Sequence, residues 1–157
     1  MDKAQETGFT PCLITAEQKG DTATVAISRA NEILSSRYTG YDAVIIGGET
    51  TPRLPASAGK GGRNQHYAAT SMLAMKGYAG QWLVASIATD GSDFLPNVAG
   101  AIVDNDSLAK TKASGVDVKS HLDRYDSNTL LNKIGNSLVI TGDTGTNVGD
   151  VMLYLLK

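Results

Sequence analysis

Residues 42–51 read Asp-Ala-Val-Ile-Ile-Gly-Gly-Glu-Thr-Thr. An apolar run of strand length, ending abruptly in paired glycines and polar residues, marks a buried strand that delivers a loop to the edge of a sheet. The same pattern returns twice downstream. Gln81-Trp-Leu-Val-Ala-Ser-Ile-Ala-Thr89 runs into Asp90-Gly-Ser-Asp93, and Ser137-Leu-Val-Ile-Thr141 runs into the Gly-rich stretch 142–150, followed by a closing strand over 151–156. In open α/β sheets, ligands bind beyond the carboxyl ends of the strands. If these strands are parallel, the three polar loops gather on one rim.

Working outward, helical spacing alternates with these strands. Ala23, Ala26, Ile27, Ala30, Ile33, Leu34 and Tyr38 form one apolar face, and Gly40 follows as a stop. A second helix starts near Gly61 and ends near Gly77, with Ala68, Ala69, Met72, Leu73 and Met75 on its buried face. Shorter helices are expected over 106–114, 118–125 and 127–134, the last capped by Asp126 or Ser127 and stopped by Gly135. Pro11–Thr15 reads as a strand, and Val98–Val103 fits helix or strand equally. The alternation predicts an α/β fold: a layered, mostly parallel or mixed sheet with helices on both faces. The last strand follows its predecessor without a helix, so it is expected to run antiparallel.

The 157 residues are the length of one ordinary domain. Fourteen basic against sixteen acidic residues give a net charge of −2, which argues against nucleic acid or an anionic membrane as partner. No apolar run approaches the ~20 residues of a membrane span, and the first residues are polar, so a cytoplasmic protein is expected. Cys12 has no second cysteine to pair with and reads as a buried thiol. His66 and His121 stand alone, without zinc-ligand spacing, and no Gly-x-Ser-x-Gly nucleophile motif is present.

Three segments carry candidate chemistry. Glu49 follows the first strand, and Gly59-Lys-Gly-Gly-Arg-Asn-Gln65 precedes a helix. There Gly61 and Gly62 leave backbone N–H groups uncovered, the helix start adds partial positive charge, and Lys60 and Arg63 add formal charge. The spacing is neither a Walker A loop nor a dinucleotide fingerprint, and a solvated loop fits it equally well. In the second segment, Asp90 and Asp93 lie three apart at a strand end. They can hold Mg²⁺, or one can act as a base toward a hydroxyl; an Asp-Gly turn with a capping Asp is the other reading. In the third, Thr146 and Asn147 either wrap a small polar ligand or belong to a turn joining two strands.

Taken in order, Gly-Gly-Glu-Thr-Thr (47–51), Gly-Lys-Gly-Gly-Arg-Asn-Gln (59–65), Thr-Asp-Gly-x-Asp (89–93), Ala-Gly-Ala-Ile-Val-Asp (99–104) and Thr-Gly-x-Thr-Gly-Thr-Asn-Val (141–148) resemble the C-terminal MOFRL domain of the glycerate 2-kinase family. That family also carries the name hydroxypyruvate reductase. The match spans residues 42–156. The resemblance implies phosphoryl transfer from ATP, with Mg²⁺, to D-glycerate, giving 2-phosphoglycerate in a cleft between two α/β domains. It implies that Arg63 contacts the substrate carboxylate or the transferring phosphate. Asp90 would be an essential carboxylate, acting as base or metal anchor. Glu49, Lys60, Asn64, Thr146 and Asn147 would line the site. Residues 1–157 would then be a single MOFRL-like domain, lacking the family's larger N-terminal domain and contributing half of an active site.

The expected partners are a glycerate-like organic acid and the missing domain or a partner chain, with self-association a further option. A stand-alone anion-binding module, or an interaction domain without kinase activity, is the alternative reading. Several positions depart from the family pattern. Ala88 and Phe94 stand where flanking glycines are usual, Asn97 where Asp is usual, Asp143 where Pro is usual, and His66 where an acidic residue is common. No nicotinamide fingerprint accompanies the reductase name, so hydride transfer is not expected.

Overall fold

A computed structural model describes all residues, 1–157. Strands β1 (Pro11–Gln18), β2 (Ala43–Gly48), β3 (Trp82–Ala88), β4 (Val98–Asp104), β5 (Leu138–Ile140) and β6 (Asp150–Leu156) form one sheet in the order β1-β2-β6-β3-β4-β5. The ambiguous segment at 98–103 is therefore a strand. Only β1 and β2 pair in parallel; every other neighbouring pair is antiparallel. The sheet is mixed, and parallel pairing does not dominate it, because β6 inserts between β2 and β3 and β4 inserts between β3 and β5. Alternate strands of an antiparallel set point the same way, so β1, β2, β3 and β5 share one direction. The loops that leave β2, β3 and β5 therefore meet on one rim, although these strands are not neighbours.

The helices are α1 (Asp2–Glu6), α2 (Thr22–Leu34), α3 (Arg63–Ala74), α4 (Asn105–Ala113), α5 (Val118–Asp123) and α6 (Ser127–Ile134). Local chemistry sets their ends. The Asp21 carboxylate accepts the Thr24 N–H at the start of α2, and Asp104 and Ser107 form a reciprocal capping box on α4. Gly135, at φ +69°, ends α6 in a backbone conformation that costs other residues more.

Helix α3 is the central helix. Asn64 through Met72 are all buried, against α2 on one side, α6 on the other and the sheet behind. Alanines 26, 30, 68 and 69 leave room for α2 and α3 to approach closely. One continuous core joins Val25 and Ile33 of α2, Tyr67 and Met72 of α3, and Leu130 and Leu131 of α6 to Val44, Val84, Val103 and Tyr154 of the sheet. The Tyr154 hydroxyl lies 3.0 Å from both Ser71 Oγ and the Tyr67 hydroxyl, so this buried polar group is satisfied. Leu73, expected on the buried face of α3, is instead exposed, and Cys12 is half-buried rather than buried.

These helices all pack on the same face of the sheet, and α1 buries no residue. The expected helices on both faces are therefore not present. The domain has two layers, because the crossovers after β1, β2, β4 and β5 all stay on one side or at the rim. No helix is long and apolar enough to cross a membrane.

His66 on α3 is 1% exposed and stacks on Tyr125, with ring centroids 3.6 Å apart and planes 11° from parallel. Burial lowers its pKa from 6.5 to about 4, and the attraction of Asp21 opposes this only in part. Between those two values the unfolded chain binds a proton that the folded chain refuses. Stability contributed by neutral His66 is thus full above pH ~6.5 and declines as the pH falls toward ~4, by about 3 kcal/mol in total. Urea unfolding of the native chain at neutral pH and near the lower limit is expected to show this loss. A His66→Phe variant should flatten that part of the profile.

Candidate active site

The start of α3 poses a local problem. Its N-cap is Gly62, which has no side chain to accept the first N–H groups. Asp93, from the loop after β3, supplies the acceptor from a distance. Its Oδ1 accepts the Asn64 N–H at 3.0 Å and the Asn64 side-chain amide at 3.3 Å; its Oδ2 accepts the Gln65 N–H at 2.9 Å and Gln65 Nε2 at 3.0 Å. Asp93 is 1% exposed. Burial raises its pKa, and these four donors work against that rise. A Cβ at Gly62 would collide with the Asp93 carboxyl group, which explains a glycine at this position. Of the two sequence readings for Asp93, metal ligand and cap, the geometry realises the cap. Its oxygens are committed to N–H donors.

Asn64, expected to line the site, is buried and turned inward. Its Oδ1 accepts a 2.6 Å hydrogen bond from Ser86 Oγ of β3. Gln65 is held in turn by Asn128 Nδ2, which donates to its Oε1 at 2.7 Å. Both residues brace the helix start rather than face a ligand.

The glycine loop ahead of α3 is tied to the start of α6. The Lys60 N–H donates to Asp126 Oδ1 at 3.0 Å, the Gly59 N–H to the Arg124 carbonyl at 2.7 Å, and the Asn128 N–H to the Lys60 carbonyl at 2.9 Å. Burial works to raise the Asp126 pKa, but hydrogen bonds from Thr129, the Lys60 N–H and His121 outweigh it and hold it below the usual value. With this bracing in place, the N–H groups of Gly61, Gly62 and Arg63 retain no protein acceptor. They border a cavity of ≈ 360 Å³ whose walls include Gly59, Arg63, Phe94 and Tyr125. Lys60 is exposed beside them.

Arg63 is already engaged. Its Nε lies 2.6 Å from Asp150 Oδ2 and its Nη2 3.0 Å from Asp150 Oδ1, a two-point fork; Nη1 lies 3.3 Å from Glu49 Oε1. Asp150 is 2% exposed, whereas the Glu49 side chain is 62% exposed. The Asp150 hydrogen bond raises the Arg63 pKa, and burial opposes it. The guanidinium is therefore fixed from behind by a buried carboxylate, and its remaining corner meets an exposed one. Sequence reasoning did not single out Asp150 as a site residue. The available signal was a lone carboxylate at the junction of the third loop and an apolar strand.

The second and third loops are joined to each other. Thr89 Oγ1 donates to the Gly149 carbonyl at 2.7 Å and accepts the Val148 N–H at 2.9 Å. Asp90 Oδ1 accepts the Ser92 N–H at 2.9 Å, and its Oδ2 lies 3.4 Å from Asn147 Nδ2. The carbonyl of Thr146 lies 3.4 Å from Thr144 Oγ1. Asp143 closes its own turn by accepting the Gly145 N–H at 2.9 Å. Phe94 takes φ +66° and is 80% exposed, and Asn97 takes φ +65°, so the two departures in this loop both adopt left-handed backbone. For Asn this is tolerated; for Phe it is a strained conformation. No cluster of three His, Cys, Asp or Glu side chains with metal-binding geometry forms. Asp90 alone suits Mg²⁺ only in the manner of a nucleotide-bound ion, with phosphate oxygens and water completing the shell.

The MOFRL family model matches residues 42–150, and the chain belongs to the MOFRL family. It is 41% identical over 114 residues to D-glycerate 2-kinase of Thermotoga maritima, a match covering 73% of this chain and 27% of that protein. It is 30% identical over 159 residues to glycerate 2-kinase of Pyrococcus horikoshii, covering 98% of this chain and 36% of that protein. A crystal structure of glycerate kinase from Thermotoga maritima superposes with a TM-score of 0.89 at 34% identity, over 99% of this chain and 38% of that one. The chain thus spans well under half the length of these relatives and aligns with one part of each.

The capping role of Asp93 makes a sharp prediction. Asp93→Ala removes the cap and leaves buried N–H donors unpaired, an expected loss of about 2–3 kcal/mol. Asp93→Asn should be no milder, because its amide group sets N–H against N–H. Thermal unfolding of both variants checks this.

Proposed function

We propose that this chain is the C-terminal part of a glycerate 2-kinase, contributing half of an interdomain site for ATP-dependent phosphorylation of D-glycerate to 2-phosphoglycerate. Residues 1–157 form one MOFRL domain in this reading, and the larger kinase domain, in cis or as a partner chain, supplies the rest. What supports it is that the loops after β2 and β3 leave the sheet at the same end, the first leading to Arg63 and the unpaired N–H groups of Gly61–Arg63 and the second carrying Asp90. Phosphoryl transfer to a hydroxyl uses fixed donors for the transferring group together with a carboxylate for the hydroxyl.

In this mechanism Arg63 Nη1 exchanges Glu49 for the carboxylate or phosphoryl group of the substrate, and Asp150 keeps the guanidinium plane in place during the exchange. The N–H groups of Gly61 and Gly62, with Lys60, stabilise negative charge on the transferring group. Asp90 accepts the proton of the attacked hydroxyl or anchors Mg²⁺; Asn147 orients its carboxylate, and Thr146 shapes the neighbouring loop. ATP would supply the phosphoryl group and leave as ADP, and Mg²⁺ would offset charge on the phosphates. Asp93 and Asn64 act through α3, by holding the donors in position.

Amide NMR titration of the chain with 2-phosphoglycerate, D-glycerate and Mg-ATP tests the reading. Saturable shifts are expected at residues 59–65 and 89–93, with affinity for 2-phosphoglycerate falling at least about tenfold in Arg63→Ala, the loss of one charge-assisted contact. Absence of shifts in the folded chain would remove the proposed site. A full rate of glycerate phosphorylation by this chain alone would overturn the half-site.

A further inference from the structure

The face of the sheet opposite the helices is apolar across its centre. The pairing register aligns Leu13 of β1, Ile45 of β2, Leu153 of β6, Ala85 of β3 and Ile102 of β4 in one row. Val151 and Ile87 stand beside that row, flanked by Gly47 and Gly100, which leave shallow depressions. Leu13 is 47% and Ile102 36% exposed. Strands that are apolar on both sides, as β2, β3 and β6 are, belong to sheets covered on both sides. None of the core-forming helices lies over this face, and Phe9, just ahead of β1, borders its Leu83–Leu155 end.

We propose that this face is a homodimer interface, in which the sheets of two copies stack face to face about a two-fold axis. Three features favour a second copy over another occupant. The centre of the face carries no charge, so the face meets its own copy without like-charge repulsion. It is a broad sheet surface rather than a groove shaped for a helix or peptide, and twisted sheets stack on each other at about −30° with ridges fitting depressions. Its size also fits. Five strands at ~4.8 Å spacing and three same-face residues along each give about 450 Å² per copy. The two copies together bury about 900 Å², below the ~1,200 Å² at which stable specific interfaces begin, so the dimer is a weak and reversible one. The candidate active-site rim lies at the strand ends and stays open in such a dimer, so the proposal stands apart from the kinase reading.

Sedimentation equilibrium of the chain between about 1 and 200 μM tests it. The expected result is a mass rising from 16.4 kDa toward twice that value. Ile102→Lys and Leu13→Lys, both at exposed positions, should each weaken the dimer at least tenfold while circular dichroism shows the fold retained. Val148→Ser on the rim should leave the association unchanged. Concentration-dependent methyl NMR shifts at Ile45, Ile87 and Leu153 report the same event in the unmodified chain. A monomer at the highest concentration, a dimer indifferent to both lysine changes, or one broken by Val148→Ser would overturn the proposal. The monomer result would leave the face to the additional chain that the longer relatives carry.

Discussion

The Asp93 carboxylate at the start of α3 is the contact on which the rest of the domain depends. It joins the loop after β3 to the central helix, replaces the side-chain cap that Gly62 lacks, and fixes the direction in which the helix leaves the rim. Helix α3 then carries Tyr67, Ala68 and Met72 into the only large core. A carboxylate this deeply buried is tolerable because both of its oxygens are satisfied, and by N–H groups that already bear partial positive charge.

This arrangement alters the meaning of a helix start as an anion site. The N–H groups of Asn64 and Gln65 are taken by the protein's own carboxylate, and only those of Gly61, Gly62 and Arg63 remain. Arg63 shows the same economy, with Asp150 buried behind it and Glu49 solvated in front. The guanidinium is therefore one cation between two carboxylates before any ligand arrives, so the site carries no spare positive charge at Arg63. An incoming anion gains by displacing Glu49, which loses little on returning to water, whereas displacing Asp150 would strand a buried charge.

The two-layer architecture explains why one face of the sheet differs from the other. All packed helices share a side because α3 needs support from both α2 and α6, and each of these reaches it only on that side. The opposite face keeps the apolar residues of a covered sheet without a covering layer of its own. Rim chemistry and face association are consequently separable in space, the first at the strand ends and the second across the strand middles.

The sequence by itself determined which segments are helices and strands, since apolar periodicity and glycine stops are local signals: β2, β3, α3 and α6 lie close to where their patterns end. It also determined the family, through five ordered motifs, and the presence of Arg63 at a helix start and of Asp90 on the loop that leaves β3. Strand order was decided only by the tertiary structure. Alternating and continuous apolar runs reveal burial but not the neighbour, so nothing local could insert β6 between β2 and β3 or place every packed helix on one face. The roles of Asp93, Asn64 and Asp150 were likewise decided by folding. A carboxylate's chemistry depends on what it touches, and their partners lie 22 to 87 residues away along the chain.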